Sequence, residues 1–323
     1  VDSVMRVFTA FNNNYPAVLY NAPFIIKDQK GRNTGLSTIF AERIIIDQYA
    51  TLRPEGMPAY VTPSIAGYEK AAYIQSFTHA TSITHAVRVG GREAQIADPL
   101  KALIQAPMNK CELDLGLRFA FSTATSYTDA SGNTVDCTMG DGLAMLSASH
   151  TLTGIGTTWS NINPANPAFS KSALSAAFKI GQRNTYDNFG KNQPVLFDTI
   201  LSTDDQDTCV AIRELTNATA DINTSNSGTY NVYANIKHIV APRICMDALG
   251  QRDTTKEKYW FLIDSRLPSF YLSVLIPPYL NTPTVGSNGE DFLSGSLNFL
   301  AGMDYGIAVV SPRGIVGSTG LGV

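Results

Sequence analysis

Charge is scarce in this chain. Lys, Arg, Asp and Glu make up 16% of its 323 residues, against roughly 25% in an average soluble domain. With 24 basic and 27 acidic residues and a net charge of −3, it lacks the clustered positive surface needed to grip nucleic acid through phosphates. The 44% of hydrophobic residues is ample for a packed core. Tyr, Phe, Thr, Ser and Asn supply much of the rest, so the low charge predicts a surface partly covered by other protein, and an oligomer is expected.

Cysteine is also sparse and unpatterned. Cys111, Cys137, Cys209 and Cys245 form no CxxC pair, which argues against a zinc ribbon or a disulfide framework and for free thiols in a reducing compartment. No apolar run reaches the 18 or so residues of a membrane span, and no charged-then-apolar segment opens the chain. A soluble, intracellular protein is expected, with no membrane partner.

Motifs of catalysis are missing too. Asn188-Phe189-Gly190-Lys191 lacks the upstream glycine and following hydroxyl of a phosphate loop, and Gly317-Ser318-Thr319-Gly320 lacks the spacing of a nucleophile elbow. His79, His85, His150 and His238 sit in different segments without HxxxH spacing. Asp204, Asp205 and Asp207 could gather a cation, but acidic residues at a helix start are favoured by its dipole in any case. The expectation is no cofactor, no metal and no catalytic residue.

What is present is a long helical pattern. From Glu93 to Tyr127, Leu100, Ile104, Cys111, Leu115 and Phe119 recur at helical steps, with Leu113, Leu117 and Phe121 as a second row. Two apolar rows predict a spine buried on more than one side. Asp98-Pro99 is the expected start of the helix, Asp114 and Arg118 the expected ion pair, and Pro107 predicts a kink or two successive helices.

Residues 1 to about 23 read as an arm that gains order on a neighbour, or as a frayed terminus. Phe24 to His85 is rich in β-formers, with Ile44-Ile45-Ile46 and Ala72 to Phe77 as runs and a turn at Lys30-Gly31. It predicts a long two-stranded excursion that needs a support. Past the spine, Ser131-Gly132-Asn133 centres a turn, and Gly140 to His150 reads as a glycine turn leading into an apolar strand. Ser170 caps a helix facing inward with Ala173, Leu174, Ala177, Phe178 and Ile180, which Asn188-Phe189-Gly190 stops. A helix near Asp204 to Thr216 and strands at 236–242, 260–264 and 271–278 follow. The apolar stretch Gly306 to Val316 is expected to return as a strand to the spine domain.

At Asp141-Gly142-Leu143-Ala144-Met145-Leu146-Ser147-Ala148-Ser149-His150 the chain resembles the major capsid proteins of tailed double-stranded DNA phages. Glu55-Gly56, His238 to Arg243, Trp260 to Asp264, Asp304-Tyr305-Gly306, Val309 to Gly314 and Gly317 to Gly320 resemble further passages of that family, in the family's order, from about residue 44 onward. The resemblance implies an α+β coat fold of the Hong Kong ninety-seven type. Its parts would be an N-terminal arm (1–30), an extended loop (31–90), a peripheral domain with the spine helix (91–190 and 291–323) and an axial domain (191–290). It further implies a structural, non-catalytic subunit that assembles with itself into hexamers and pentamers of an icosahedral shell around double-stranded DNA. Portal, scaffolding and decoration proteins would be its other partners, and it would assemble in the bacterial cytoplasm and end in the virion. Some relatives cross-link the extended loop through a Lys–Asn bond. Lys70 has the position of the donor, but no acceptor asparagine or catalytic glutamate can be assigned, so no cross-link is expected. The alternatives are an encapsulin-like compartment shell and, less favoured, a metal-assisted hydrolase using Asp204, Asp205, Asp207 or His150.

Overall fold

The computed structural model describes residues 17–27, 32–33, 36–42, 47–84, 86–87, 90, 93–152, 155–218, 231–267, 269–282, 290–291 and 296–322. Chain order begins with strands β1 (Ile25–Ile26), β2 (Arg32–Asn33), β3 (Ser37–Ala41), β4 (Glu69–Tyr73) and β5 (Gln75–Ile83), followed by the spine helix α1 (Glu93–Ala120). Next come β6 (Ser126–Thr128), β7 (Thr134–Asp136), β8 (His150–Leu152), β9 (Ile155–Trp159), α2 (Lys171–Arg183), β10 (Thr199–Ser202) and α3 (Gln206–Asn217). The remaining strands are β11 (Lys237–Val240), β12 (Trp260–Ile263), β13 (Phe270–Asn281), β14 (Glu290–Asp291), β15 (Ser296–Val309) and β16 (Ile315–Ser318).

The spine forms as the apolar rows require, with two corrections. It starts at Glu93, not at Asp98-Pro99, and it runs unbroken for 28 residues through both Pro99 and Pro107, about 42 Å. A proline inside a helix costs about 3 kcal/mol. Leu100, Leu103, Ile104, Met108, Cys111, Leu115, Leu117 and Phe119 are all buried around it, and each buried apolar side chain contributes roughly 1.5–3 kcal/mol, so packing outweighs the lost hydrogen bonds. Asp98 instead lies in solvent 3.7 Å from Lys101.

Two sheets flank the spine. In the five-stranded sheet, β15 lies between β13 and β5, with β1 beyond β13 and β14 on the end of β15. The β13–β15 ribbon shifts register between Val274 and Ile276 and again before Tyr279. Pro277 and Pro278 fall in the second irregularity, where a residue without an N–H leaves the ladder. The four-stranded sheet runs β11-β10-β12-β16, and β10, β12 and β16 are buried at every position. Phe119 of α1 ties the two together: its ring is 5.2 Å from Phe261 of β12 and 4.7 Å from Phe270 of β13. Helices α2 and α3 cover the other face of the four-stranded sheet, with Leu174, Ala177, Ile212 and Leu215 against Trp260, Leu262 and Val316.

The expected cap of α2 holds: Ser170 accepts from the N–H of Ala173. Helix α3 is capped in the same way by Asp205, which accepts from the N–H of Thr208. Helix α2 ends at Arg183 with Asn184 as its cap, ahead of the Asn188-Phe189-Gly190 turn expected to stop it. Three further expectations need revision. The apolar passage before His150 is a string of turns rather than a strand, because Asn161 takes the place of a neighbouring strand: its amide donates to Met145 O and accepts from Ser147 N–H. Residues 306–316 do not form one strand: β15 ends at Val309, and Ile315–Ser318 crosses to the other sheet opposite β12. Residues 51–61 are exposed without regular strands, and the ladder between β3 and β4 lies at the base of the excursion. Ile44-Ile45-Ile46, the Lys30-Gly31 turn and His85 lie outside the described residues.

No helix among the described residues is long and apolar enough to cross a membrane.

Candidate functional site

The candidate site is the exposed loop between β3 and β4 together with its buried root. Leu52 is 93% exposed and Val61 86%, and Tyr49, Met57 and Tyr60 are exposed as well. The tip keeps a defined shape. Met57 N–H donates to Pro54 O at 3.2 Å, Arg53 Nε donates to Met57 O at 2.6 Å, and Gly56 holds φ 78° at the position where a type II turn demands glycine.

Beneath the tip lies a half-buried latch. Lys191 Nζ bonds the carboxylate of Asp47 and sits 4.9 Å from the centre of the Tyr49 ring. Gln48 Nε2 donates to Asn192 O at 3.2 Å, and Asn188 Nδ2 to Ala66 O at 3.3 Å. The bonds from Lys191 and from the Tyr49 N–H hold the Asp47 carboxyl below its ordinary range.

The root itself is buried. Arg313 donates through Nη1 to Glu42 Oε2 at 2.7 Å, through Nε to Tyr186 O at 2.9 Å and through Nη2 to Asn188 Oδ1, and its guanidinium lies 4.9 Å from the centre of the Tyr68 ring. Glu42 also accepts from Tyr68 N–H at 3.3 Å, and Tyr68 O accepts from Glu42 N–H at 2.8 Å. Gly67 is required here, because a Cβ would lie 2.5 Å from the Cβ of Glu42. Tyr68 donates to Thr151 O, and burial pushes its hydroxyl up to about 12. One arginine thus joins both ends of the loop to the 186–192 turn and to the chain leading into β16.

A second anchor holds the segment that precedes the loop. The carboxylate of Glu112, buried in the spine, accepts backbone N–H bonds from Val18 at 2.9 Å, Leu19 at 2.7 Å and Tyr20 at 2.8 Å.

Residues weighed for chemistry serve other ends. His150 and Asp141 form a fully buried pair, Nδ1 to Oδ2 at 2.6 Å, out of reach of any substrate. Asp204 pairs with Arg252 at 2.9 Å, Asp205 caps α3 and Asp207 lies in its first turn. Among the described residues no three His, Cys, Asp or Glu side chains gather as metal ligands. Ser202 Oγ is 2.9 Å from His238 Nε2, a nucleophile–base spacing, yet Ser202 is fully buried. All four cysteines are buried and free. Lys70 bonds Asp136 and Thr138 at 2.5 Å in the wall of a cavity of about 320 Å³. There Asp114 pairs not with Arg118 but with Lys110, at 2.6 Å, and accepts from Tyr305 OH at 2.6 Å, while Arg118 donates to Asp136 O. The two lysines of this cavity are each paired with a carboxylate.

Arg313 and Glu112 were missed as site residues by sequence reasoning. For Arg313 the signal was a lone charge inside an apolar run; Glu112, flanked by Lys110 and Asp114, gave none.

The arrangement of arm, exposed loop, spine and two sheets is the tailed-phage major capsid fold. The chain resembles the solved structure titled Gordonia phage Cozz with a TM-score of 0.50 at 11% identity, over 93% of this chain and 85% of that one. It resembles that of Mycobacterium phage Bobi with a TM-score of 0.50 at 9% identity, over 93% and 89%. For the capsid structure of cyanophage P-SCSP1u the TM-score is 0.49 at 13% identity, over 91% and 84%. No protein-family profile matches the chain, and no curated protein matches it. At these identities the likeness defines the fold.

Proposed function

We propose that this chain is the repeating coat subunit of a phage head, assembling with copies of itself into hexamers and pentamers of an icosahedral shell that encloses double-stranded DNA. The observation that carries the reading is the exposed apolar loop on its buried root. Exposed apolar surface in a protein of low charge asks for cover, while a charged, hydrogen-bonded root fixes the direction in which the loop leaves. The role is structural, not catalytic. A net charge of −3 suits an inner wall that does not hold DNA tightly. Portal, scaffolding and decoration proteins are the further partners in this reading, with assembly in the host cytoplasm.

The proposed division keeps an arm at 1–30, an extended loop at 31–90, a peripheral domain at 91–190 with 291–323, and an axial domain at 191–290. Two strands run across it: β13 pairs with β15, and β16 pairs with β12.

The test is sedimentation velocity and electron microscopy of the full chain beside a variant in which residues 51–62 are replaced by a short Gly-Ser linker. Shells or capsomer rings from the parent, and folded but unassembled subunits from the variant, are expected. Normal shells from the variant would sink the assignment of the loop to assembly.

A further inference from the structure

Strand β5 pairs with β15 along all nine residues, from Ile83 opposite Leu297 to Gln75 opposite Tyr305, with no register shift. Among the described residues no strand pairs with its other edge. Such an edge presents a row of N–H and C=O groups that can template another strand, and proteins usually blunt it with charge, proline or a bulge. The sequence Gln75-Ser76-Phe77-Thr78-His79-Ala80-Thr81-Ser82-Ile83 contains no Lys, Arg, Asp, Glu or Pro. Gln75, Ser76, Thr78, His79, Ala80 and Ser82 are exposed.

We propose that this edge pairs antiparallel with β5 of a second copy of the chain, about a two-fold axis at His79. A self-pair centred there sets Ser76 opposite Ser82, Phe77 opposite Thr81, Thr78 opposite Ala80, Gln75 opposite Ile83 and His79 opposite its own mate. Ser76 meets Ser82, His79 meets its own mate, and no carboxylate or ammonium faces its like anywhere along the pair, so the edge accepts a second copy of itself without charge repulsion and offers nothing to a charged partner. The contact is isologous, as a two-fold requires. Leu100, Leu103 and Ile104 of α1 already cover Ile83 on one face, and a two-fold normal to the sheet places both spine helices on the same side of a continuous sheet. The pairing rests on the edge alone and not on the coat reading.

Three variants of the full chain test it. His79→Cys should form a reductant-sensitive dimer on mild oxidation, against a low background because the four native thiols are buried. His79→Lys and His79→Glu, each alone, should weaken pair formation at least tenfold in sedimentation velocity, and an equal mixture should restore it. A folding defect would not be rescued by mixing. A mixture no better associated than its components overturns the proposal, whatever else the chain binds. Shells that assemble equally well from His79→Lys chains remove the β5 pairing and leave the coat reading standing, whereas a cross-linked pair in a chain that builds no shell does the reverse.

Discussion

The guanidinium of Arg313 donates to the carboxylate of Glu42 across 2.7 Å and 271 residues of sequence. Both side chains are largely buried, and the bond closes the base of a loop whose tip is exposed. Removing one partner of such a pair leaves an uncompensated charge. Arg313→Met is expected to cost about 3–5 kcal/mol, read as a lower urea midpoint. Adding Glu42→Gln should recover part of that loss. Equal midpoints for the single and double variants would contradict the pairing.

The ion pair of the latch above the root is partly open to solvent, Lys191 at 33% and Asp47 at 20%, so water screens much of its attraction. Lys191→Ala is expected to change global stability by less than about 1 kcal/mol. It should nevertheless free the loop, so limited chymotrypsin digestion should cut after the exposed Tyr60 faster than in the parent chain.

Glu112 accepts three backbone N–H groups with a charged carboxylate, and hydrogen bonds to charged groups contribute roughly 1.5–3 kcal/mol each. Glu112→Gln replaces one acceptor oxygen by a donor that faces an N–H. Hydrogen exchange at Val18, Leu19 and Tyr20 should accelerate by tenfold or more while exchange in β12 is unchanged.

His238 carries the pH dependence. Burial, helped by the charge of Arg213, pulls its imidazole down to about 4, below the free value of about 6.5. The unfolded chain therefore takes up the proton first as pH falls. The stability due to neutral His238 is complete above about pH 6.5 and drains away between about 6.5 and 4. Thermal melts of His238→Gln should show a flatter decline over that window than the parent; parallel curves would exclude the residue as the source.

Much of the fold was legible because periodicity and burial agree. The rows on α1, the Ser170 cap and the strands at 260–263 and 237–240 follow from side-chain pattern alone. Elsewhere local chemistry misled. Pro107 signals a break, but neighbours far along the chain outweigh it. Asp114 has acceptable i,i+4 partners on both sides, and only the position of the β6–β7 hairpin, which occupies Arg118, decides for Lys110. The passage 143–149 has the composition of a strand, yet Asn161 satisfies its backbone in place of a ladder. Arg313 reads as part of the apolar strand expected over 306–316, because nothing near it in sequence tells that Glu42, Tyr186 and Asn188 converge on it.

By itself, then, the sequence determined which segments are helical or extended, that the surface is poor in charge, and that no catalytic or metal-ligand spacing is present. Tertiary structure alone decided that β16 crosses to the sheet of β12, that the loop is rooted on one buried arginine, and that β5 keeps one edge unpaired among the described residues. The physical reason is range. Helix and strand preferences act over a few residues and are written in local pattern, whereas a buried ion pair or an unpaired edge depends on which distant segments arrive, and that is set by the packing of the whole core.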